Sequence, residues 1–309
     1  MQNEIHTNFS ILSTLCYYDV FAHPLSLEEI HLRMNKAETI ENIKSELSAL
    51  VELNIVKQYK GYFFLPHHSN EIVEQRKEKE ILAAKFLEKS KRYSSLIAKF
   101  PFVRAVCISG SLSKGVMEKD GDVDYFIITE KGRLWICRSL LIVFKKVFLL
   151  NSRKYFCTNY FVDINNLEIP DKNLFTATEI NSLKPVHESE HFDEFTKQNS
   201  WTKNFQPNFI NELNTSTIKD TNGLKRILEK VLAGKTGEKL DTYFFKLTLN
   251  RWKNKFPKFD AEEFDLHMRS RKNVSKHHPR AYQTKVLDKH KESLSKISLQ
   301  LNNLTTEAA

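Results

Sequence analysis

Cysteine is scarce in this 309-residue chain: Cys16, Cys107, Cys137 and Cys157 are all it has, none in Cys-x-x-Cys spacing and most of them in apolar runs. That excludes a disulfide framework and predicts buried free thiols in a reducing compartment. A membrane-spanning run is missing too. The most apolar long stretch, residues 134–150, is interrupted by Arg138, Lys145 and Lys146, whereas a span needs roughly 20 predominantly apolar residues. The chain starts Met1-Gln2-Asn3-Glu4, with no basic segment leading into an apolar run, so no secretory signal is expected and the reading is cytoplasmic. No internal repeat is visible. A P-loop is excluded as well, because Gly234-Lys235-Thr236 has Glu229 where the motif's first glycine belongs.

A hydrophobic content of 41% over this length supports a sizeable core and two or three domains. The net charge of +9 is unevenly placed: residues 1–200 balance, and residues 201–309 hold 21 Lys and Arg against 12 Asp and Glu. Any attraction for a polyanion therefore belongs to the last third.

Residues 8–20 read as a helix. After His23-Pro24 a second helix opens with Ser26 as N-cap and Glu29 three positions on, a capping-box spacing. Apolar residues at 40, 43, 47, 50 and 51 predict a third helix over 39–53 with one buried stripe. Residues 56–59 and 62–65 read as two strands joined at Lys60-Gly61. Three helices followed by a hairpin resemble, by element order alone, a winged helix over residues 1–70. Charge argues against DNA binding through it, since the third helix carries Glu41, Glu46 and Glu52 against Lys44, with Glu38 at its start. An interaction or scaffold role fits better. Residues 71–100 read as a charged, solvated connecting helix.

The informative stretch is residues 105–129, AVCISGSLSKGVMEKDGDVDYFIIT, in which one apolar run ends at Gly110-Ser111 and another begins at Asp122-Val123-Asp124. In a strand, residues i and i+2 lie about 6.6 Å apart on one face, so both carboxylates would project together. Side by side they repel unless a cation lies between them. Oxygen pairs of this kind suit Mg²⁺ or Mn²⁺, and phosphoryl-transfer sites often bridge two ions with them. Gly110 removes a side chain where a phosphate would approach, Ser111 adds a hydroxyl and Lys114 a charge.

Here the sequence resembles the nucleotidyltransferase superfamily of DNA polymerase beta, whose pattern is a hydrophobic strand, Gly-Ser, a gap of about this length, then Asp-hydrophobic-Asp. The matching residues are Ile108-Ser109-Gly110-Ser111 and Asp122-Val123-Asp124. The resemblance covers residues 103–162 and implies that the serine turn holds the terminal phosphates of an NTP while Asp122 and Asp124 bind the metals. It implies a nucleotidyltransferase core over 101–200. The expected fold class is α+β: a mixed sheet with helices, flanked by the winged-helix-like module and a basic, helical C-terminal region over 201–309, with helices at 222–233, 238–254 and 281–302.

The family also uses a third carboxylate from a neighbouring strand. The candidate strand KYFCTNYFVD offers Asn159 in its middle and Asp163 at its end. On an unbroken strand the two share a face. Asn159 would serve as a neutral metal or nucleotide ligand; Asp163 would be either the missing carboxylate or a strand-end residue. Central location favours Asn159, which leaves the acceptor hydroxyl without an obvious base. Residues 267–280, HMRSRKNVSKHHPR, gather eight basic or histidine side chains and read either as a site for a nucleic-acid or other phosphate-bearing acceptor or as a solvated basic loop. Two functions follow: a metal-dependent enzyme moving a nucleotidyl group from an NTP to an unidentified acceptor, and a catalytically inactive nucleotide- or nucleic-acid-binding protein on the same fold.

Overall fold

The computed structural model describes residues 2–152, 154–186, 189–210 and 223–307, with side chains from residue 8 to residue 299. Position 222, where one helix was expected to begin, lies outside them. The N-terminal module runs α1 (Gln2–Asp19), β1 (Leu25–Ser26), α2 (Leu27–Arg33), α3 (Ile40–Glu52), β2 (Lys57–Tyr59) and β3 (Tyr62–Phe64). Its helices start where local hydrogen bonding dictates. The Ser26 hydroxyl accepts from the Glu29 amide at 3.3 Å while Glu29 Oε2 accepts from the Ser26 amide at 3.0 Å, and Thr39 caps α3. Lys60 and Gly61, at φ +50° and +83°, make the hairpin turn, and the strands form an antiparallel sheet in the order β1-β3-β2. Ile11, Leu15, Ile30, Ile43, Leu47 and Phe63 fill the space between helices and sheet.

α4 (Glu71–Ala98) follows, and it is more than a solvated connector. Its buried stripe, including Ile72, Val73, Phe86 and Ile97, packs on both neighbours, and buried Arg76 grips Glu29 with two hydrogen bonds of 2.6 and 2.8 Å. An ion pair shielded in this way ties α4 to α2 more firmly than the exposed pairs on the helix's outer face.

The second module contains β4 (Val103–Ser109), α5 (Gly110–Ser113), β5 (Asp124–Thr129), α6 (Leu134–Phe148), β6 (Cys157–Asp163), α7 (Leu174–Asn181), β7 (Lys184–Pro185) and α8 (Glu190–Gln198). The chain then supplies α9 (Gly223–Val231), α10 (Lys235–Lys255), α11 (Ala261–Met268), β8 (Ser270–Arg271), β9 (Val274–Lys276) and α12 (Tyr282–Glu307). Among the described residues the sheet order is β7-β4-β5-β6-β9-β8, with β5 and β6 parallel across the α6 crossover and the other pairs antiparallel. Alternation splits the apolar strand residues between two cores. Val106, Ile108, Tyr125 and Ile127 face α4 and α6, while Ala105, Cys107, Phe126 and Ile128 face Phe192 and Phe195 of α8. The architecture is thus α+β with a mixed sheet.

The last third carries the expected helices, as α9, α10 and α12, and adds two short strands to them. It contributes β8 and β9 to the central sheet, and α12 returns to the N-terminal module, where Val286 and Ile297 join the core around α1 and His290 Nε2 lies 3.0 Å from the Ser13 carbonyl. α10 also completes α6. The first turn of α6 has no local side-chain cap; instead the amides of Trp135 and Ile136 donate to Oδ1 of fully buried Asp241 at 2.8 and 3.0 Å. The four cysteines are free and buried, and among the described residues no helix is long and apolar enough to cross a membrane.

Candidate functional site

Antiparallel pairing of β4 with β5 sets Ser109 directly opposite Asp124, so the Gly110-Ser111 turn closes over the start of β5. Gly110 has φ +68°, and a Cβ there would lie 2.8 Å from Asp124 Oδ2. Glycine is therefore required twice, for the left-handed backbone and for the carboxylate packed against it. The space that the sequence reserves for a phosphate is filled in part by Asp124 itself. Ser111 is exposed at the mouth of the turn.

β5 begins at Asp124, two residues later than the sequence suggests, yet Asp122 lies on the same extended path. The Val123 amide donates to the Lys154 carbonyl at 2.9 Å, and the Cys157 amide donates to the Val123 carbonyl at 3.1 Å. Val123 is fully buried between two partly buried aspartates, the alternation expected of a strand. Burial pushes the Asp124 carboxyl up to about 7, the charges of Asp122 and Glu179 add to this, and the Cys157 thiol and Lys114 work against it.

β6 lies beside β5, and a bulge decides which of its residues reaches Asp124. Asp124 pairs with Cys157 and Tyr125 with Thr158, but Phe126 pairs with Tyr160, so Asn159 is the extra residue. Its Nδ2 donates to Asp124 Oδ1 at 2.6 Å, and its Oδ1 accepts from the Cys157 thiol at 3.2 Å. Burial, followed by the two aspartates, pushes that thiol up to about 12, which keeps it a donor. Asn159 thus serves as a donor to Asp124, with its carbonyl turned away toward Cys157 rather than offered to a metal.

Asp163 lies elsewhere. It is opposite Thr129, five residues along β5 from Asp124, or about 17 Å at the rise of a strand. Its carboxylate is buried and accepts from the amides of Gly132 and Asn165 at 3.1 and 3.0 Å, closing the two loops that leave the strands. The parity that put Asn159 and Asp163 on one face fails at the bulge.

Lys114 is held differently from the expectation of an available phosphate ligand. Its Nζ donates to the Gly110 carbonyl at 3.1 Å and pairs with Glu179 Oε1 at 2.8 Å. Glu179, on α7, is a carboxylate of the site that the sequence reading missed, because nothing in the local pattern of that short helix signals which loop it faces. Cys157 was missed for a related reason: an isolated cysteine in an apolar run reads as core.

The basic run 267–280 divides in the same way. Arg269 and Lys276 are buried and share Asp171, at 2.8 and 3.0 Å, and the His277 amide donates to the Asn159 carbonyl at 3.0 Å. Arg271, Lys272 and Arg280 remain exposed, with Arg271 on Asp265, Lys272 on Asp241 and Arg280 within electrostatic reach of Asp122. Neither a solvated loop nor a continuous polyanion surface describes a segment whose middle is a strand of the sheet.

No protein-family model, no curated protein and no solved structure matches this chain.

The chemistry of the site therefore rests on its donor set. Two aspartates on one extended segment, with Glu179 adding to their field, offer a hard divalent cation the oxygen ligands it prefers. The pair that would hold it is Asp122 and Asp124.

Proposed function

We propose that this chain binds an NTP together with Mg²⁺ or Mn²⁺ and transfers a nucleotidyl group to the hydroxyl of an unidentified acceptor, on a nucleotidyltransferase-type core. One observation carries the reading: Asp124 is packed against the Gly110 turn, opposite Ser109 and on the same extended segment as Asp122, which gives a divalent cation two oxygen ligands beside a turn open to phosphate. The bound cation would neutralise charge on the phosphates. Asp122 and Asp124 would hold it, Ser111 at the mouth of the turn would contact the terminal phosphates, and the Lys114–Glu179 pair fixes the shape of that turn. Exposed Arg280, within electrostatic reach of Asp122, is the group left for a phosphate-bearing acceptor.

A second reading, nucleotide binding without turnover, is favoured by Asn159. At the position next to Asp124 an amide stands where a base would be needed, and Asp163 lies too far away to replace it. The three helices and the three-stranded sheet of the N-terminal module support a winged-helix-like reading, and its acidic α3 suits a protein contact better than a DNA groove.

Incubation with each labelled NTP and Mg²⁺ or Mn²⁺, followed for pyrophosphate and labelled product, tests the first reading. Turnover that is lost in Asp124→Asn supports it. Metal-dependent NTP binding without product, with product appearing in Asn159→Asp, moves the conclusion to the second. If wild type and Asp124→Asn bind Mg²⁺–NTP alike, both readings fail.

A further inference from the structure

At the far end of the N-terminal module, Asp19, His67 and His68 bring one ligand atom each within 4.8 Å of one another. Asp19 is the last residue of α1, where the carbonyl end of the helix already concentrates negative charge, and the last turn of α1 has no basic side chain. His67 and His68 lie in the turn between β3 and α4. Adjacent side chains ordinarily diverge; these two rings are 4.1 Å apart, and their Nε2 atoms lie 3.3 and 2.8 Å from the same oxygen, Asp19 Oδ1.

The supporting backbone is fixed on both sides. The chain after Asp19 turns through Phe21, Ala22 and His23 amides bonded back to Tyr18 and Asp19, and Ala22 adopts φ +47°. The His68 amide donates to the Leu65 carbonyl, and the His68 carbonyl accepts from Lys57 Nζ at 3.0 Å.

We propose that Asp19, His67 and His68 form a binding site for a divalent transition-metal ion of the Zn²⁺ kind, clasping the end of α1 to the turn after β3. The geometry is close to what such an ion needs. Two ligands about 2.0–2.1 Å from a tetrahedral Zn²⁺ stand about 3.3–3.4 Å apart, so the His67–Asp19 separation fits and the His68–Asp19 separation must open by about half an ångström. Two imidazole nitrogens with one carboxylate oxygen favour Zn²⁺ over Mg²⁺, which prefers oxygen alone. His67 is 59% exposed while Asp19 is 15% exposed, so the ion enters from the solvent side and keeps water in its remaining position. The site has a different metal preference from the aspartate pair of the central sheet and does not depend on the function of that pair.

The test is calorimetric titration of the metal-free full chain with Zn²⁺ alone, joined to the visible spectrum of the Co²⁺ form and the melting temperature with and without Zn²⁺. One equivalent bound, a tetrahedral Co²⁺ spectrum, and a loss of affinity of at least about tenfold in His67→Ala are expected. Asp124→Asn should retain the site, and excess Mg²⁺ should not compete for it. His67 is the deciding variant because its ring is exposed and the fold does not pack on it; His68→Ala and Asp19→Asn repeat the test on the more covered ligands. Wild-type Zn²⁺ affinity and stoichiometry in His67→Ala, or no Zn²⁺ uptake by the wild type, would overturn the proposal and leave the His68–Asp19 contact as a hydrogen bond only.

Discussion

The paired strands β5 and β6 carry a buried or half-buried aspartate at each end, and the two ends are built on opposite principles. Asp163 sits among donors: two backbone amides point at it, and the loops they belong to are closed by it. Asp124 has Asp122 and Glu179 adding negative charge beside it, with the Asn159 amide as a donor and the Cys157 thiol and Lys114 working against that charge. Burial raises both carboxyls. Like charge adds to the shift at both, from Asp241 at Asp163 and from Asp122 and Glu179 at Asp124, but only Asp163 has two backbone amides set against it; a buried carboxylate's task is read from the donors and charges around it, not from its burial.

The contrast breaks most visibly under substitution. Asp122→Asn and Asp124→Asn are expected to weaken Mg²⁺–NTP binding by more than about a hundredfold while the fold persists, and Asp163→Ala to leave that affinity within about twofold. Asp163→Ala should instead cost about 1–3 kcal/mol in urea unfolding, because two buried amides lose their acceptor. Calorimetry and unfolding on the same three variants decide it; a reversed pattern would mean the roles of the two ends have been exchanged.

Acid and base sharpen the same contrast. The folded pKa of Asp124, about 7, lies above its unfolded value of 3.8, so its contribution to stability is complete below about pH 4 and is lost as pH rises through 7. In metal-free protein this loss should be on the order of a few kcal/mol, reduced by the partial exposure of the group. Asp124→Asn should remove it, and Mg²⁺ should offset it above pH 7. Melting temperatures at pH 5 and pH 8, with and without metal, give the comparison. An identical pH dependence in wild type and Asp124→Asn would remove Asp124 as its source.

Two glycines give a smaller and more local check. Gly110→Ala meets both a left-handed backbone and a carboxylate oxygen, while Gly115→Ala, at φ +79° with nothing within 4 Å, meets the backbone term alone. Each is expected to lose about 1–2 kcal/mol of stability, but only Gly110→Ala should also weaken metal binding. Equal affinities would mean that Asp124 can move aside freely. The smallest effect is expected at Lys114. Because it is already paired with Glu179, Lys114→Gln should change NTP affinity less than about fivefold, a change that a competition assay can resolve.

What was legible in the sequence was local. Ser26 and Glu29 announce α2 because their hydrogen bonds close within four residues, and the alternation around Val123 puts Asp122 and Asp124 together because strand geometry needs no partner to fix it. What was not legible depends on a second element. The bulge that delivers Asn159 and withholds Asp163 is a property of the β5–β6 register. Glu179 reaches Lys114 across 65 residues. In the run 267–280, charge hides the strand β9: Lys276 looks like surface until Asp171, 105 residues earlier, is seen to receive it.

The cap on α6 has a consequence for how the molecule is made. Trp135 and Ile136 obtain their acceptor from Asp241, 106 and 105 residues further on, and the edge of β6 waits still longer for β9. During vectorial synthesis the helix that crosses between the two parallel strands therefore emerges with its first amides bonded to water, and the ribosome must deliver α10 before that end can be sealed. Ribosome-bound chains halted before residue 241 should be cut readily around residues 130–136, and chains halted beyond the exit of β9 should resist; equal cleavage at both lengths would show that α6 is finished without its distant acceptor.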